Sequence, residues 1–272
     1  MDYKVFEDRI ELEETEDFCA KHIFECGQIF RYKKTENGYL IFSDNQKIIV
    51  EEKNGKVTIW GNPKFCQNFF DLKTDYSKIK AELIKNKELT MPIKFGYGIR
   101  ILKRSPLETI ISFIISANNN IPRIKNTIEK LCNEYGENKG DFFSFPTLKK
   151  LSLVDEKFWI NAGAGYRAKY LIDTVKILAL DSSVLTSNES TTEIKKKLLA
   201  LSGVGPKVAD CVLLFGYGRT DVFPTDTWVM KAIGENDKSK ASFFATEKAS
   251  QYGSLAGYAQ QYLFFYERNK KA

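Results

Sequence analysis

One change of hydrophobic pattern, at about Asp71, constrains the fold of this chain more than any other feature. Before it, from about Phe30 to Trp60, short runs of β-branched and aromatic residues are separated by turn-forming pairs. These pairs are Asn37-Gly38, Asp44-Asn45 and Asn54-Gly55. Asn-Gly between such runs is a strong hairpin signal because both residues tolerate positive φ. After the change, apolar residues recur at helical spacing, so the sequence predicts an antiparallel sheet followed by helices.

The pattern therefore predicts an α+β fold with two parts. We place an N-terminal antiparallel β domain at residues 1–90 and a mainly α-helical domain at residues 91–272. Residues 14–25, before the sheet, have the pattern of a short helix. The chain has 272 residues, 43% of them hydrophobic, which is enough for one large domain or two modest ones with a core each.

Composition excludes several classes of protein. The five cysteines are scattered without a Cys-x-x-Cys spacing, and His22 is the only histidine. A zinc site or a four-cysteine iron–sulfur cluster therefore lacks a local ligand set, and we assign no metal ligand and no required cofactor. Residues 109–117, the longest apolar stretch, are too short to span a bilayer. The acidic N-terminus is unlike a signal peptide. These observations favour a cytoplasmic protein without membrane contact.

Residues 201–212 read LSGVGPKVADCV and indicate a tight turn between two helices, a helix-hairpin-helix at about residues 193–216. Gly203 and Gly205, on either side of Val204, allow the backbone to turn sharply and expose its N–H groups. These groups lie beside a helix N-terminus, where the dipole favours an anion. The turn is thus a candidate phosphate site, and the net charge of +6 suits a polyanionic partner. Such turns also join ordinary helices, so neither observation is decisive.

Two residues near this turn are candidates for chemistry. Lys207 lies in the first turn of the second helix, where the dipole disfavours an ammonium and makes the neutral amine more available as a nucleophile. The alternative is an exposed lysine, one of 41 Lys and Arg residues. Asp226 precedes another apolar helix; it is either an ordinary N-cap or a carboxylate that faces the same cleft.

At this point the sequence resembles a known family. Residues 201–229, LSGVGPKVADCVLLFGYGRTDVFPTDTWV, resemble the helix-hairpin-helix, Gly/Pro-rich loop and Asp signature of the HhH-GPD DNA glycosylase superfamily. Four further stretches resemble its 8-oxoguanine branch: CGQIFRY, GIRILKRSPLETIISFIISANNNIPRI, AGAGYRAKYL and AGYAQQYLFF. The similarity spans Gly27 to Phe264 in the family's order. It implies a TBP-like β domain first, then the helical domain.

The resemblance implies a bifunctional enzyme, a DNA glycosylase and AP lyase that excises 8-oxoguanine, preferably opposite cytosine, from double-stranded DNA. Lys207 matches the family's nucleophile, which attacks the anomeric carbon, forms a Schiff base and nicks the strand by β-elimination. Asp226 matches the catalytic aspartate, which stabilises positive charge on the sugar. The base must leave the stack before Lys207 can reach the sugar, so base flipping is expected.

The resemblance also implies the residues that bind the lesion. Gly27 matches the residue whose carbonyl accepts the N7 hydrogen of 8-oxoguanine; guanine carries an acceptor there instead. Gln260 matches the glutamine that binds the Watson–Crick edge, while Cys211 and Phe264 match the residues on either side of the base. Without the resemblance, Cys211 and Phe264 are better interpreted as ordinary apolar packing.

Four residues match those around the orphaned base. Asn118 matches the asparagine that fills the gap left by the flipped nucleotide, Tyr166 matches a wedge, and Arg123 and Arg167 match donors to the orphaned cytosine. Guanidinium groups suit such recognition. The alternative is that Arg123, Tyr166 and Arg167 are surface residues that contact phosphates, and that Asn118 is an ordinary helix terminus.

One position departs from the family. Trp228 stands where the better-known eukaryotic members have a histidine that contacts DNA. Carbonyls of the hairpin turn, near Leu201 and Val204, are also expected to suit a monovalent cation. Compactness and the lack of an obvious targeting signal favour a cytoplasmic, nucleoid-associated enzyme of a prokaryote, and we expect a monomer.

Two other functions remain open from sequence. A monofunctional alkylbase DNA glycosylase would have the aspartate without the lysine, so Lys207 counts against it. A non-catalytic helix-hairpin-helix DNA-binding module would need neither Lys207 nor Asp226. The joint presence of Lys207, Asp226, Gly27, Gln260 and Phe264 argues against it.

Overall fold

The computed structural model describes residues 1–270, apart from the side chain of residue 238. Its N-terminal part is a six-stranded, fully antiparallel sheet. The strands are β1 (Tyr3–Val5), β2 (Arg9–Leu12), β3 (Tyr32–Thr35), β4 (Gly38–Ser43), β5 (Gln46–Lys53) and β6 (Lys56–Trp60). Their order across the sheet is β1-β2-β6-β5-β4-β3.

The sheet is larger than the sequence predicted, because β1 and β2 also belong to it. In β2, Ile10 and Leu12 are buried while their neighbours are not, which is the alternation of a half-buried strand. The strand has only four residues, too few for that alternation to stand out in an acidic segment. The predicted start at Phe30 was therefore too late.

Glycine and asparagine shape the hairpins in two different ways. Asn54 and Gly55 have φ values of 54° and 73°, so this turn has the positive φ angles that the Asn-Gly pair predicted. Gly38 instead lies inside β4 with φ at 153°. A Cβ at Gly38 would lie 2.0 Å from the carbonyl oxygen of Val50 in β5. There is no room for a side chain between the two strands, so this position requires glycine.

The rest of the chain is helical, as predicted. The helices are α1 (Ala20–Phe24), α2 (Pro63–Phe69), α3 (Tyr76–Leu83), α4 (Thr90–Phe95), α5 (Pro106–Ser116), α6 (Ile121–Tyr135), α7 (Leu148–Leu151), α8 (Glu156–Ala162), α9 (Arg167–Leu180), α10 (Thr191–Leu199), α11 (Pro206–Gly216), α12 (Thr227–Ala232), α13 (Ala241–Tyr252) and α14 (Ala256–Asn269). Within residues 1–270, none of them is long and apolar enough to cross a membrane.

Two hydrophobic clusters form the interior. One packs α1 and α2 against the sheet, and the other joins the helices from α3 onward. The chain crosses between them repeatedly: Cys26 and Phe30 belong to the helical cluster, whereas Leu102 belongs to the sheet cluster. The α+β fold is thus confirmed, while the boundary at residue 90 stays a prediction.

A buried polar network fastens the sheet to the helices. Arg104 and Glu108 form an ion pair of 2.9 Å, with both side chains fully buried at the start of α5. Glu108 Oε2 accepts the backbone N–H of Asp44, in the β4–β5 turn, at 2.6 Å. Arg104 also donates to the carbonyl of Gln28 at 2.9 Å. Through Arg104, the network holds the segment around Gln28, between α1 and β3, next to the start of α5.

Candidate active site

The predicted helix-hairpin-helix is present, formed by α10, a turn and α11. Gly203 in the turn has φ at 76°, and a Cβ there would lie 2.7 Å from Cβ of Tyr170. Both conformation and space therefore require glycine at this position. Gly205 is the N-cap of α11 with φ at −86°, and nothing lies within 4 Å of where its Cβ would be. The backbone at Gly205 is thus open to a ligand, while Val204 between the glycines is buried.

Lys207 lies in the first turn of α11 and is half-buried. Its Nζ is 5.4 Å from the centroid of the Phe113 ring on α5, close enough for a cation–π contact. Cys211 follows one turn later and Phe215 one turn after that, on the same face of α11. The helix therefore directs this face, with Lys207 at its N-terminal end, toward α5.

Asp226 is the N-cap of α12. Its Oδ1 accepts the backbone N–H groups of Trp228 and Val229, both at 3.0 Å. Oδ2 has no hydrogen bond among the described residues. The two interpretations of Asp226 from sequence are therefore compatible, because one oxygen caps the helix and the other stays open.

These residues meet in one cavity, which we call the inner cavity. It contains about 320 Å³ of empty space, open at its mouth. It is lined by Cys26, Gly27, Phe113, Lys207, Cys211, Phe215, Pro224, Asp226, Gln260, Gln261 and Phe264. The structure thus brings together, from four separate parts of the sequence, both predicted catalytic residues and all four predicted lesion-binding residues.

Gly27 lies in a tightly held loop. Its φ is 79°, and a Cβ there would lie 3.3 Å from Cε1 of Phe264. Gln28, which is fully buried, fixes the loop: its Nε2 donates to the carbonyls of Ile23 at 2.9 Å and Arg100 at 2.8 Å. The carbonyl of Gly27 is therefore attached to a rigid frame rather than to a free surface loop.

Two adjacent glutamines of α14 line the cavity. Gln260 is 4% exposed, and its Oε1 is buried without a donor among the described residues. Gln261 is 2% exposed, and its Nε2 donates to Sγ of Cys26 at 3.3 Å. Sequence reasoning missed Gln261 and Cys26 as site residues, although each adjoins one that it identified, Gln260 and Gly27.

The two thiols of the cavity are electrically neutral. Burial raises the pKa of Cys211 to about 11, and burial also raises the pKa of Cys26 to about 12. A thiol is a weak nucleophile until it loses its proton. Neither thiol is therefore an activated nucleophile near neutral pH, which keeps Lys207 as the candidate nucleophile among the residues that line the cavity.

A wider opening, which we call the outer groove, continues from the inner cavity. It contains about 800 Å³ of empty space and shares Gly27, Phe113, Lys207, Asp226 and Phe264 with the inner cavity. Its other lining residues are Phe30, Ser116, Asn119, Asn120, Ile121, Ile124, Trp228 and Arg268. Lys207 and Asp226 thus lie where the cavity and the groove meet.

The three consecutive asparagines at the edge of this groove have three different roles. Asn118 is exposed, with φ at 49°, a left-handed conformation that asparagine tolerates well. Asn119 donates to the carbonyl of Ile115 at 3.0 Å and so completes the end of α5. Asn120 caps α6 by accepting the N–H of Arg123 at 3.0 Å. Of the three, only Asn118 has a side chain without a hydrogen bond among the described residues.

The residues predicted around the orphaned base are not equally available. Tyr166 is 59% exposed, and Arg123 is exposed with its Nε bonded to the carbonyl of Gly163 at 2.9 Å. Arg167 is only 4% exposed. Its guanidinium donates to Ala117 at 2.7 Å, to Ala164 at 3.1 Å and to Asn118 at 2.6 Å, in each case to the carbonyl. Arg167 is therefore not a surface residue, and it holds the segment that carries Asn118.

Within the described residues, no three His, Cys, Asp or Glu side chains are grouped so that they could hold a metal ion. In the hairpin turn, the carbonyl of Leu201 accepts the N–H of Val204 at 3.2 Å, and that of Ser202 accepts the hydroxyl of Thr174 at 2.6 Å. Two turn carbonyls thus already have donors, and the monovalent cation at the turn stays a prediction.

Two family models together match most of the chain. Residues 9–110 match "8-oxoguanine DNA glycosylase, N-terminal domain", and residues 111–250 match "HhH-GPD superfamily base excision DNA repair protein". An N-glycosylase/DNA lyase of Saccharomyces cerevisiae is 38% identical over 255 residues, which cover 79% of this chain and 67% of the yeast protein. A probable N-glycosylase/DNA lyase of Methanothermobacter thermautotrophicus is 33% identical, covering 73% of this chain and 72% of that protein.

The fold also resembles solved structures along its whole length. One is the 8-oxoguanine glycosylase/lyase of Clostridium acetobutylicum in complex with double-stranded DNA containing cytosine opposite 8-oxoguanine. It superimposes with a TM-score of 0.91 at 36% identity, and the match covers 100% of this chain and 99% of that one. The similarity therefore includes both the sheet and the helices.

Proposed function

The chain belongs to the 8-oxoguanine DNA glycosylase family of the HhH-GPD superfamily, and from this premise we propose that it excises 8-oxoguanine from duplex DNA and then nicks the strand. The observation that carries the proposal is the meeting of Lys207 and Asp226 at the mouth of a cavity that Gly27, Gln260 and Phe264 also line. A candidate nucleophile, a carboxylate and a recess thus share one place, as excision of a flipped base requires.

The chemistry begins at Lys207. Its neutral amine attacks C1′ of the lesion nucleotide; the N–C1′ bond forms as the bond from C1′ to the base breaks, and the base leaves with the bonding electrons. The departed base takes up the proton that the lysine nitrogen loses, and the sugar ring opens as O4′ takes up a proton from solvent, which gives a Schiff base. Removal of a C2′ proton then expels the 3′ phosphate by β-elimination. The carboxylate of Asp226 stabilises the positive charge that develops on the sugar.

Lesion recognition is assigned to the inner cavity. The carbonyl of Gly27 accepts the N7 hydrogen of 8-oxoguanine, whereas guanine would place two acceptors against each other. Gln260 Oε1 is buried and has no donor within residues 1–270, and an unmet acceptor of this kind costs about 1–3 kcal/mol. A donor on the Watson–Crick edge of the base would remove that cost. Cys211 and Phe264 supply the two apolar faces.

The opposite strand is assigned to the edge of the outer groove. Asn118 fills the gap left by the flipped nucleotide, Tyr166 wedges beside the orphaned cytosine, and Arg123 donates to it. Arg167 joins them only if it exchanges its carbonyl partners for the base. The hairpin turn at Gly203, Val204 and Gly205 holds a phosphate. We also propose that the enzyme is a monomer and that it is cytoplasmic and nucleoid-associated; the similarity to a bacterial glycosylase/lyase supports the cytoplasmic location.

Borohydride trapping tests this proposal. The protein is incubated with a duplex that carries one 8-oxoguanine opposite cytosine, in the presence of sodium borohydride. The expected result is a covalent protein–DNA adduct that Lys207→Gln lacks, because borohydride reduces a Schiff base to a stable amine. Base release without an adduct would instead indicate a monofunctional glycosylase. Tight binding without release or adduct would indicate a DNA-binding module.

A further inference from the structure

One face of α14 carries a polar or aromatic residue at every fourth position along the cavity wall. Gln260, Phe264 and Arg268 follow one another at this spacing, so they lie above one another on the same face. Each step advances about 6 Å along the helix axis. Gln260 lines the inner cavity, Phe264 lines both spaces, and Arg268 lines only the outer groove. This row of three side chains therefore extends from the inner cavity to the outer groove.

Arg268 is a cation without a partner at this mouth. Among the described residues it forms no hydrogen bond and no ion pair within 4 Å. Its guanidinium carbon is 5.8 Å from the centroid of the Phe264 ring, and its Nη1 lies 3.7 Å from where a Cβ at Gly27 would be. The side chain is half-buried. A half-buried guanidinium that lacks an acceptor favours an anionic ligand.

Among the described residues, α12, which borders the same groove through Trp228, offers no unpaired cation. Trp228 lines the same groove. An indole offers one N–H and no charge. Lys231 lies 5.7 Å from the Trp228 ring, but its Nζ pairs with Glu267 at 3.3 Å. Lys207, the proposed nucleophile, and Arg268 are thus the cationic side chains that line the groove.

On the basis of the proposed function, we propose that Arg268 binds a phosphodiester next to the flipped nucleotide. The base edges meet Gly27 and Gln260 deep in the recess, and the ring faces meet Cys211 and Phe264. In a nucleotide the phosphate lies beyond the sugar, on the side away from the Watson–Crick edge. Arg268, two turns nearer the mouth than Gln260, is placed for that phosphate. A guanidinium can also donate to two phosphate oxygens at once.

The test is single-turnover kinetics at several salt concentrations, with enzyme in excess. Two duplexes are compared, one with 8-oxoguanine and one with an abasic site, each opposite cytosine. For Arg268→Gln we expect the half-saturating enzyme concentration to rise roughly 5- to 30-fold on both duplexes, because both retain the phosphate. The slope of log affinity against log salt should fall by about 1, the value for one lost phosphate contact.

Three further variants test whether the effect depends on the charge and position of Arg268. Lys64→Gln removes the same charge from an exposed position on α2 and should leave both quantities unchanged. Arg268→Lys keeps the charge and should restore the slope and part of the affinity. Arg268→Met keeps the apolar stem over Phe264 and should match Arg268→Gln.

Two results would overturn the assignment. An unchanged salt slope in both Arg268→Gln and Arg268→Met would mean that Arg268 contacts no phosphate. A loss confined to the 8-oxoguanine duplex would mean that it contacts the base. Failure of the proposed function is a separate result, because the wild-type protein would then form no borohydride adduct with either duplex.

Discussion

The side-chain amide of Gln261 donates to Sγ of Cys26 at 3.3 Å, and so joins α14 to the loop that carries Gly27. Both groups are buried. Cys26 Sγ also accepts a hydrogen bond from Nε2 of Gln28 at 3.3 Å. Two side-chain amides therefore donate to the same sulfur. The link connects the predicted acceptor for N7 with the helix that bears Gln260, and it fixes the distance between the two recognition elements.

Removal of this link should weaken recognition of the base without harming the nicking chemistry. For Gln261→Leu we expect excision of 8-oxoguanine to fall about fivefold, since a buried hydrogen bond contributes about 1 kcal/mol. Nicking of an abasic duplex, which has no base to recognise, should stay within twofold of wild type. Single-turnover rates on the two duplexes measure this ratio, and an equal loss on both would rule out a role in recognition.

The two glycines of the hairpin offer a matched pair of alanine substitutions. Gly203→Ala places a Cβ 2.7 Å from Tyr170 at a φ of 76°, and we expect it to destabilise the protein by about 1–3 kcal/mol. Gly205→Ala meets open space at φ −86°, so its stability should stay within about 0.5 kcal/mol of wild type. Urea unfolding measures both differences.

The same pair separates folding from DNA binding. If a phosphate approaches the turn at Gly205, the methyl group of Gly205→Ala should reduce affinity for duplex DNA several-fold although the protein is stable. Binding of a fluorescent duplex at fixed salt is the readout. Full affinity in Gly205→Ala would show that DNA does not approach the backbone there.

The fold was predictable where a local pattern determines it. Asn54-Gly55 adopts the positive φ angles of a tight hairpin, and the helical spacing after Asp71 corresponds to real helices. Short β2 was missed because its strand character depends on pairing with β6, which is a contact distant in sequence. A four-residue strand has too little local signal to compete with an acidic composition.

The site was predictable only through resemblance, for a physical reason. Gly27, Lys207, Asp226 and Gln260 are far apart in the chain, and their meeting in one cavity depends on how α11, α12 and α14 pack. The sequence around Asp226 predicts the N-cap of α12, because Asp226 directly precedes an apolar helix. The cavity that Asp226 lines depends on contacts that are distant in sequence. The internal hydrogen bonds of Arg167 are likewise a product of packing, because nothing in its neighbouring sequence specifies the carbonyls of Ala117 and Asn118.

Asp44 should make stability depend on pH. Burial, and next the carboxylate of Glu108, raise its pKa to about 6 from an ordinary 3.8. A raised pKa means that the folded state binds the proton more tightly than the unfolded state. The contribution of Asp44 to the free energy of unfolding therefore falls as pH rises from about 4 to 6, and it stays lower above pH 6.

Asp44→Asn removes the titration and suits the left-handed φ of 53° at this position. We expect it to stabilise the protein at pH 8 by at most about 3 kcal/mol, the value of a shift of about two pKa units. The difference from wild type should vanish near pH 4. Urea unfolding at pH 4, 6 and 8 measures the trend, and an Asp44→Asn protein less stable than wild type at pH 8 would contradict it.

Arg123 and Arg167, the two arginines predicted to lie near the orphaned base, should differ in which property changes when each is substituted. Arg167 is buried and donates to three carbonyls, among them that of Asn118. In Arg167→Ala these carbonyls lose their donor, so we expect lower stability and slower excision whichever base stands opposite 8-oxoguanine. Arg123 is exposed, and among the described residues its side chain forms one hydrogen bond, from Nε to the carbonyl of Gly163, so its terminal nitrogens can donate to a base.

Arg123→Ala should therefore preserve stability but reduce the preference for cytosine. Loss of a guanidinium contact to a base costs about 1–3 kcal/mol of discrimination, which corresponds to roughly 5- to 150-fold. Excision rates opposite cytosine, thymine, guanine and adenine, measured for both variants, distinguish the two roles. If Arg167→Ala changed the ratios among the four bases while Arg123→Ala did not, then Arg167 would have exchanged its carbonyl partners for the orphaned base on binding DNA.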